Sequence, residues 1–227
     1  MPTGPPTEQE IWKISRRTID IIQNHIGADN VCLFGSAAAA LWADINRVPN
    51  DIDIVITIDL YEVIYDPEEI KETIVAVDDR YYLQPSKRPE AEYQILYCRL
   101  PGWATGRRCV KVDILIPPTL HLPEILSNRI ILIDDIPVMP LFDLLVMKLQ
   151  GWRDHINSSR PDFRAKLPND VFDVRALLDR AVAERIWYPK EKRRHTREFM
   201  ERATRLALGF IPRHGGRAKF LTLGFQI

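Results

Sequence analysis

Asp51 and Asp53 stand two residues apart in the run DIDIVITI, residues 51–58. On an extended strand, residues i and i+2 project to one face, so this pair sets two carboxylates side by side. Adjacent negative charges repel unless a cation sits between them. Hard divalent ions such as Mg²⁺ take oxygen ligands of this kind and leave positions open for substrate phosphates. Asp113, inside the apolar run CVKVDILI (109–116), adds a third acid that needs a metal, a basic partner or water if it is buried. Upstream, the apolar segment NVCLF (30–34) runs into Gly35-Ser36. A strand, a glycine turn and a helix start aim free backbone N–H groups at an anion such as a phosphate, and the Ser36 hydroxyl adds a donor. Each signal alone is weak, since a Gly-Ser before a helix is more often a plain turn and cap.

Order and spacing strengthen the set: apolar strand, Gly-Ser, helix and loop, Asp-x-Asp opening a second strand, and a third Asp in a later strand. In FGSAAAALW (34–42), RVPNDIDIVI (47–56) and VKVDILI (110–116), the chain resembles the DNA polymerase β superfamily of nucleotidyltransferases. It is most similar to the minimal branch that holds the AbiEii-type toxins, related small nucleotidyltransferases and fungal proteins of the same pattern. The similarity continues in IPVMPLFDLLVMKLQGWRDH (136–155), where Lys148 matches that branch's helical lysine, and in KLPNDVFDVRALL (166–178), where Asp170 matches its acid. It covers roughly residues 28–180.

The resemblance implies a metal-dependent transfer of a nucleoside monophosphate from a nucleoside triphosphate to a hydroxyl, with release of pyrophosphate. Asp51, Asp53 and Asp113 would hold Mg²⁺ or Mn²⁺, and Asp113 could also accept the hydroxyl's proton. Gly35, Ser36, Arg47, Lys148 and Asp170 would contact the nucleotide. The acceptor is left open among an RNA or tRNA end, a protein hydroxyl and a small molecule. One departure concerns Arg47-Val48-Pro49-Asn50-Asp51, where the family often carries Ser or Thr between the Arg and the first Asp. Both acids of the pair are kept, so the departure touches contacts to base or ribose. Lys148 falls among Leu141, Leu144, Leu145 and Trp152 on a helix's apolar face, where an ammonium needs an anion or must snorkel to solvent. Asp170, with Asp173 after it, could equally cap the following helix.

These residues need a scaffold, and the hydrophobic spacing supplies one. Residues 7–26 read as an amphipathic helix, 30–34 as a strand, and Ser36 as the cap of a second helix. Residues 51–58 read as a strand and 66–77 as a helix. Further strands are expected near 81–84, 91–100, 109–116 and 130–138, with turns at Pro101-Gly102 and Gly106. From Leu141 the pattern is helical over 141–156, 169–186 and 190–208, with a polar loop at 157–168. The expected class is α/β in the broad α+β sense: a mixed sheet with helices on it (1–140) followed by a helical C-terminal domain (141–227).

Composition sets outer bounds. The 227 residues are 46% hydrophobic and 27% charged, ordinary for a chain with a real core. No apolar run reaches the length of a membrane span and no signal peptide is legible, so a cytoplasmic or nuclear protein is expected. Cys32, Cys98 and Cys109 form no CxxC pair and read as core, and the five histidines show no ligand spacing. The net charge of zero hides a polarity, because residues 181–227 carry eleven Lys/Arg against four Asp/Glu with phenylalanines interleaved. That favours RNA slightly as acceptor over a merely solvated helix face. Two rival readings stand beside the transferase: a nucleotide-sugar glycosyltransferase, whose Asp-x-Asp also holds a metal, and a catalytically silent nucleotide-binding or interaction protein on the same fold.

Overall fold

Thr7 sets where the first helix begins. In the computed structural model, which describes residues 4–57, 66–86, 92–102 and 108–227, the Thr7 side chain accepts the backbone N–H of Glu10 and the Glu10 carboxylate accepts the N–H of Thr7. This reciprocal cap satisfies two donors at the helix's open end. Helix α1 (Glu8–Ile21) runs into one wider turn, Ile22–Ile26, and stops at Gly27 with φ 76°, a left-handed conformation that glycine adopts at little cost. Ile11, Ile14, Ile19 and Ile22 are buried.

The chain divides into two compact units, Met1–Ala40 with Asn46–Met139, and Leu41–Ile45 with Pro140–Ile227. The first holds a seven-stranded mixed sheet: β1 (Val31–Phe34), β2 (Asp51–Ile56), β3 (Tyr81–Pro85), β4 (Gln94–Arg99), β5 (Cys109–Leu115), β6 (Ile131–Ile133) and β7 (Ile136–Val138), in the order β3-β4-β5-β2-β1-β7-β6. β2 is parallel to β5 and antiparallel to β1, while β1 and β7 are parallel. Helix α2 (Gly35–Trp42) leaves β1 directly, and α3 (Pro67–Val77) starts at Asp66, whose side chain accepts the N–H of Glu68. α1 packs on β1, β2 and β7, α3 packs on β3 and β5, and the two helices touch. Ile52, Ile54, Val110 and Val112 are fully buried, whereas Asp51, Asp53, Lys111 and Asp113, which alternate with them, stay half-buried. The period of two thus separates an apolar face under the helices from a polar face. Asp78, after α3, ties the layers together by accepting hydrogen bonds from Arg80 and Arg17. The Arg80 bonds, working against burial and reinforced by Arg17, hold its carboxyl well below the usual range.

The second unit contains α4 (Leu141–Asn157), α5 (Pro161–Arg164), α6 (Leu167–Ala183), α7 (Tyr188–Glu191), α8 (Arg197–His214) and α9 (Arg217–Thr222). α4 packs on α5, α6 and α8, and α6 on α9. Phe142, Trp152, Phe210 and Phe220 are among its largest fully buried side chains.

Several expectations shift. Residues 130–138 form a hairpin and not one strand, because Asp134 and Asp135 both adopt positive φ, the requirement of a tight two-residue turn. The region 190–208 is two helices, broken where Thr196 caps α8 by accepting the N–H of Phe199. α6 starts at Leu167 instead of 169, and the loop at 157–168 contains α5. Cys109 is only half-buried, unlike Cys32 and Cys98. The expected strand ends Ile58 and Ala91 and the turn residue Gly106 lie outside the described residues.

Candidate active site

The parallel pairing of β2 with β5 sets Asp53 beside Asp113 and Asp51 beside Lys111. Paired strands run ~4.8 Å apart, so the three acids stand on neighbouring positions of the polar face. On the other flank, β1 places Phe34 beside Asp53, and the next residue, Gly35, turns the chain into α2 at that level. Its φ is 66°, and a Cβ there would fall 1.9 Å from Asp53 Oδ2 and 2.8 Å from Asp53 Cγ. The Gly35 backbone is therefore packed against the carboxylate, and no side chain fits between them. Ser36 follows at the start of α2 as a helix residue and not as its cap, and its Oγ accepts a hydrogen bond from Arg47 Nη2 at 3.0 Å.

Lys111 is a site residue that sequence reasoning missed. Its Nζ lies 2.5 Å from Asp113 Oδ2, with the two side chains 37% and 32% exposed, so the pair meets solvent. Burial pulls the Lys111 ammonium down, but the hydrogen bond and charge of Asp113, with Asp53 and Asp51 behind it, outweigh this and its pKa is raised. The signal was available: Lys111 sits two residues before Asp113 on the same strand, so both project to one face.

Three carboxylates against one ammonium leave the cluster net negative and rich in hard oxygen donors. Such donors suit a divalent cation shared with phosphate, and the Gly35 backbone lies directly against one of them, Asp53. Asp51, Asp53 and Asp113 supply such oxygen donors on one face of the sheet. A cavity of about 590 Å³ in the second unit, lined by Tyr188, Lys192, Arg197 and Arg205 among others, includes none of the acids.

In the second unit, Lys148 Nζ donates to Asp173 Oδ2 at 2.8 Å, with Asp173 fully buried. The anion expected for Lys148 is thus, in the first instance, a side chain. Asp170 lies in the first turn of α6, where Lys166 and not an acid is the cap, and its Oδ2 pairs with His155 Nδ1 at 2.6 Å. His195 is not an ordinary histidine either. Its Nε2 lies 3.5 Å from Asp143 Oδ1 and 3.7 Å from Glu191 Oε2, all three side chains deeply buried. Their ligand atoms lie within 4.8 Å of one another, close enough to share a cation. Asp143 comes from a helix distant in sequence, so no spacing rule could reveal the group.

Comparison with known proteins gives the family and the fold of the chain. Residues 24–214 match the family model described as "Nucleotidyl transferase AbiEii toxin, Type IV TA system". Among solved structures, the fold is similar to that of an antigenic nucleotidyltransferase-like protein from Paracoccidioides brasiliensis (15% identity, 99% of this chain and 96% of that one, TM-score 0.62). It is also similar to JHP933 from Helicobacter pylori (11% identity, 97% and 82%, TM-score 0.51). No curated protein sequence matches the chain.

Proposed function

Given that the chain belongs to the AbiEii nucleotidyltransferase family, we propose that it transfers a nucleoside monophosphate from a nucleoside triphosphate to a hydroxyl acceptor. The observation that carries this reading is the contact of the Gly35 backbone with the Asp53 carboxylate, because it joins an anion-binding helix start to a cation-binding acid pair. A triphosphate with its metal needs both within reach of one another.

In this reading the Gly35-Ser36 turn and the first-turn N–H groups of α2 hold the outer phosphates, with Arg47 hydrogen-bonded to the Ser36 hydroxyl. Asp51, Asp53 and Asp113 would hold Mg²⁺ or Mn²⁺, which when bound supplies positive charge to the phosphoryl oxygens. The acceptor oxygen bonds to the α-phosphorus, the bond to the bridging α–β oxygen breaks, and pyrophosphate leaves with the electron pair. Asp113 takes the hydroxyl proton. Lys111, paired to Asp113, offsets its negative charge until the acceptor arrives. The resemblance assigns Lys148 to the nucleotide, and within its own unit the lysine is paired with buried Asp173. Asp170, through His155, steadies α4, which carries that lysine.

RNA is the acceptor favoured by charge, since Lys190, Lys192, Arg193, Arg194 and Arg197 are all exposed on the second unit. Among the described residues no helix is long and apolar enough to cross a membrane. The test incubates the protein with each α-labelled NTP, Mg²⁺ or Mn²⁺, and total RNA or protein extract. Label should move to one acceptor class with release of pyrophosphate, and Asp53→Ala should abolish it. Equal transfer by both proteins sinks the site. Release of UDP from a UDP-sugar, without pyrophosphate from any NTP, would install the glycosyltransferase reading instead.

A further inference from the structure

The polar face of the sheet does not end at Asp113. Beyond β5, β4 places Tyr97 directly opposite Lys111, and β3 places Tyr82 directly opposite Tyr97. Residues opposed across antiparallel strands share a face, so both tyrosines lie on the face that carries the three acids. Both are half-buried.

Their arrangement is an ordered stack. Tyr82 and Tyr97 rings are 5.6 Å apart with planes 21° from parallel. The Arg99 guanidinium lies 4.6 Å from the Tyr82 centroid. Tyr97 and Arg99 are two residues apart on β4, and Tyr82 contacts both, so its ring stands between them. The series along the strand is Arg99, Tyr82, Tyr97. On the same face of β4, the neighbour of Tyr97 on the side away from Arg99 is Ile95. One register step past Leu96↔Val112, Ile95 falls opposite Asp113. Among the described residues the stack therefore ends at Tyr97, and the next position on that face lies over half-buried Ile95, beside Asp113.

In-line displacement gives that position a use. The leaving pyrophosphate belongs on the β1 and α2 side of the acids, where Gly35-Ser36 sits. The attacking hydroxyl must then come from the opposite side, over β5 and β4. Resting on the transferase reading above, we infer that Tyr97 stacks the terminal nucleobase of an RNA acceptor and so brings its ribose hydroxyl to Asp113. The Arg99 and Lys111 charges flank the place where its backbone phosphates would run. Aromatic stacking tolerates any base because each has a π-face, so the acceptor is chosen by its single-stranded end more than by sequence.

The test uses a short single-stranded RNA with 2-aminopurine at its 3′ end, titrated with the full chain without NTP. Stacking on tyrosine quenches the probe, and Tyr97→Ala should lose the quench and weaken binding about tenfold. Tyr97→Phe and Tyr97→Trp should retain it, and matching circular-dichroism melts identify the variants that are folded. Asp53→Ala should still quench. Quenching that survives Tyr97→Ala, or an RNA that wild-type protein does not bind, overturns the inference. A Tyr97-dependent quench in a protein that transfers no label upholds the stacking site while the catalytic reading fails, so the two are separable.

Discussion

Replacing Gly35 by Ala tests the link between turn and carboxylate at a single atom. At φ 66° an alanine pays the left-handed penalty of roughly 1–2 kcal/mol. Its Cβ also meets Asp53 Oδ2 at 1.9 Å, where ordinary contact begins at 3.4 Å, so the carboxylate must move by about 1.5 Å. Misplacing a reacting group by ~1 Å costs on the order of 100-fold in rate. Gly35→Ala should therefore release pyrophosphate at least about 100 times more slowly, yet lose only a few kcal/mol of stability in urea. Gly27 supplies the control, since it has φ 76° and nothing within 4 Å of the place a Cβ would take. Gly27→Ala should show the backbone penalty of about 1–2 kcal/mol with the rate intact. In an Asp53→Ala background, Gly35→Ala should cost no more than Gly27→Ala does, because the clash has been removed. A Gly35→Ala protein within about threefold of wild type in rate would refute the reasoning, as would additive stability losses at Gly35 and Asp53.

Three further outcomes follow from other contacts. Lys148→Met removes the ammonium paired with the fully buried Asp173 and should destabilise the protein by up to about 3–5 kcal/mol, while adding Asp173→Leu should recover much of that loss in thermal melts. If activity returns with stability in the double variant, Lys148 has no role at the phosphates. Arg47→Met releases the Ser36 hydroxyl and should raise the KM for NTP more than it lowers kcat, read from pyrophosphate-release kinetics. Glu10 is held at about 2 by its hydrogen bonds from Arg108 acting against burial. Its folded pKa lies below the ordinary 4.5, so its contribution is full above that value and is lost as pH falls toward 2. Glu10→Gln should cost about 1–2 kcal/mol at pH 7 after solvent screening, and the gap from wild type should close between about pH 4.5 and 2 in urea titrations.

What the sequence conveyed depended on how locally each feature is encoded. Asp51, Asp53 and Asp113 were legible because a period of two on a strand fixes a face without any knowledge of neighbours. The same rule puts Lys111 on that face, yet a lysine on a strand is ordinarily solvated, and only its salt bridge to Asp113 makes it part of the site. Gly35 was legible as a turn, but its fit against Asp53 needed the β1–β2 register. Asp173 as the partner of Lys148, and the Asp143, Glu191 and His195 group, depend on helix packing, which spacing along one helix does not carry. The Asp134-Asp135 turn was hidden because Asp adopts positive φ less readily than the Asn-Gly or Asp-Gly pairs that announce a hairpin. The stack of Arg99, Tyr82 and Tyr97 came from two strands and was invisible in either.

The parallel pairing of β2 with β5 also governs when during folding the chemistry can appear. The hairpins β3–β4 and β6–β7 close over short loops, whereas bringing Asp53 to Asp113 requires the whole intervening chain to close on itself, a non-local step with a larger entropic cost. A chain that has formed α1, β1, α2 and β2 already owns the Gly35 turn and the acid pair but lacks the third acid. In the proposed reading, pairing of β5 with β2 would therefore be the long-range step that completes the acid set.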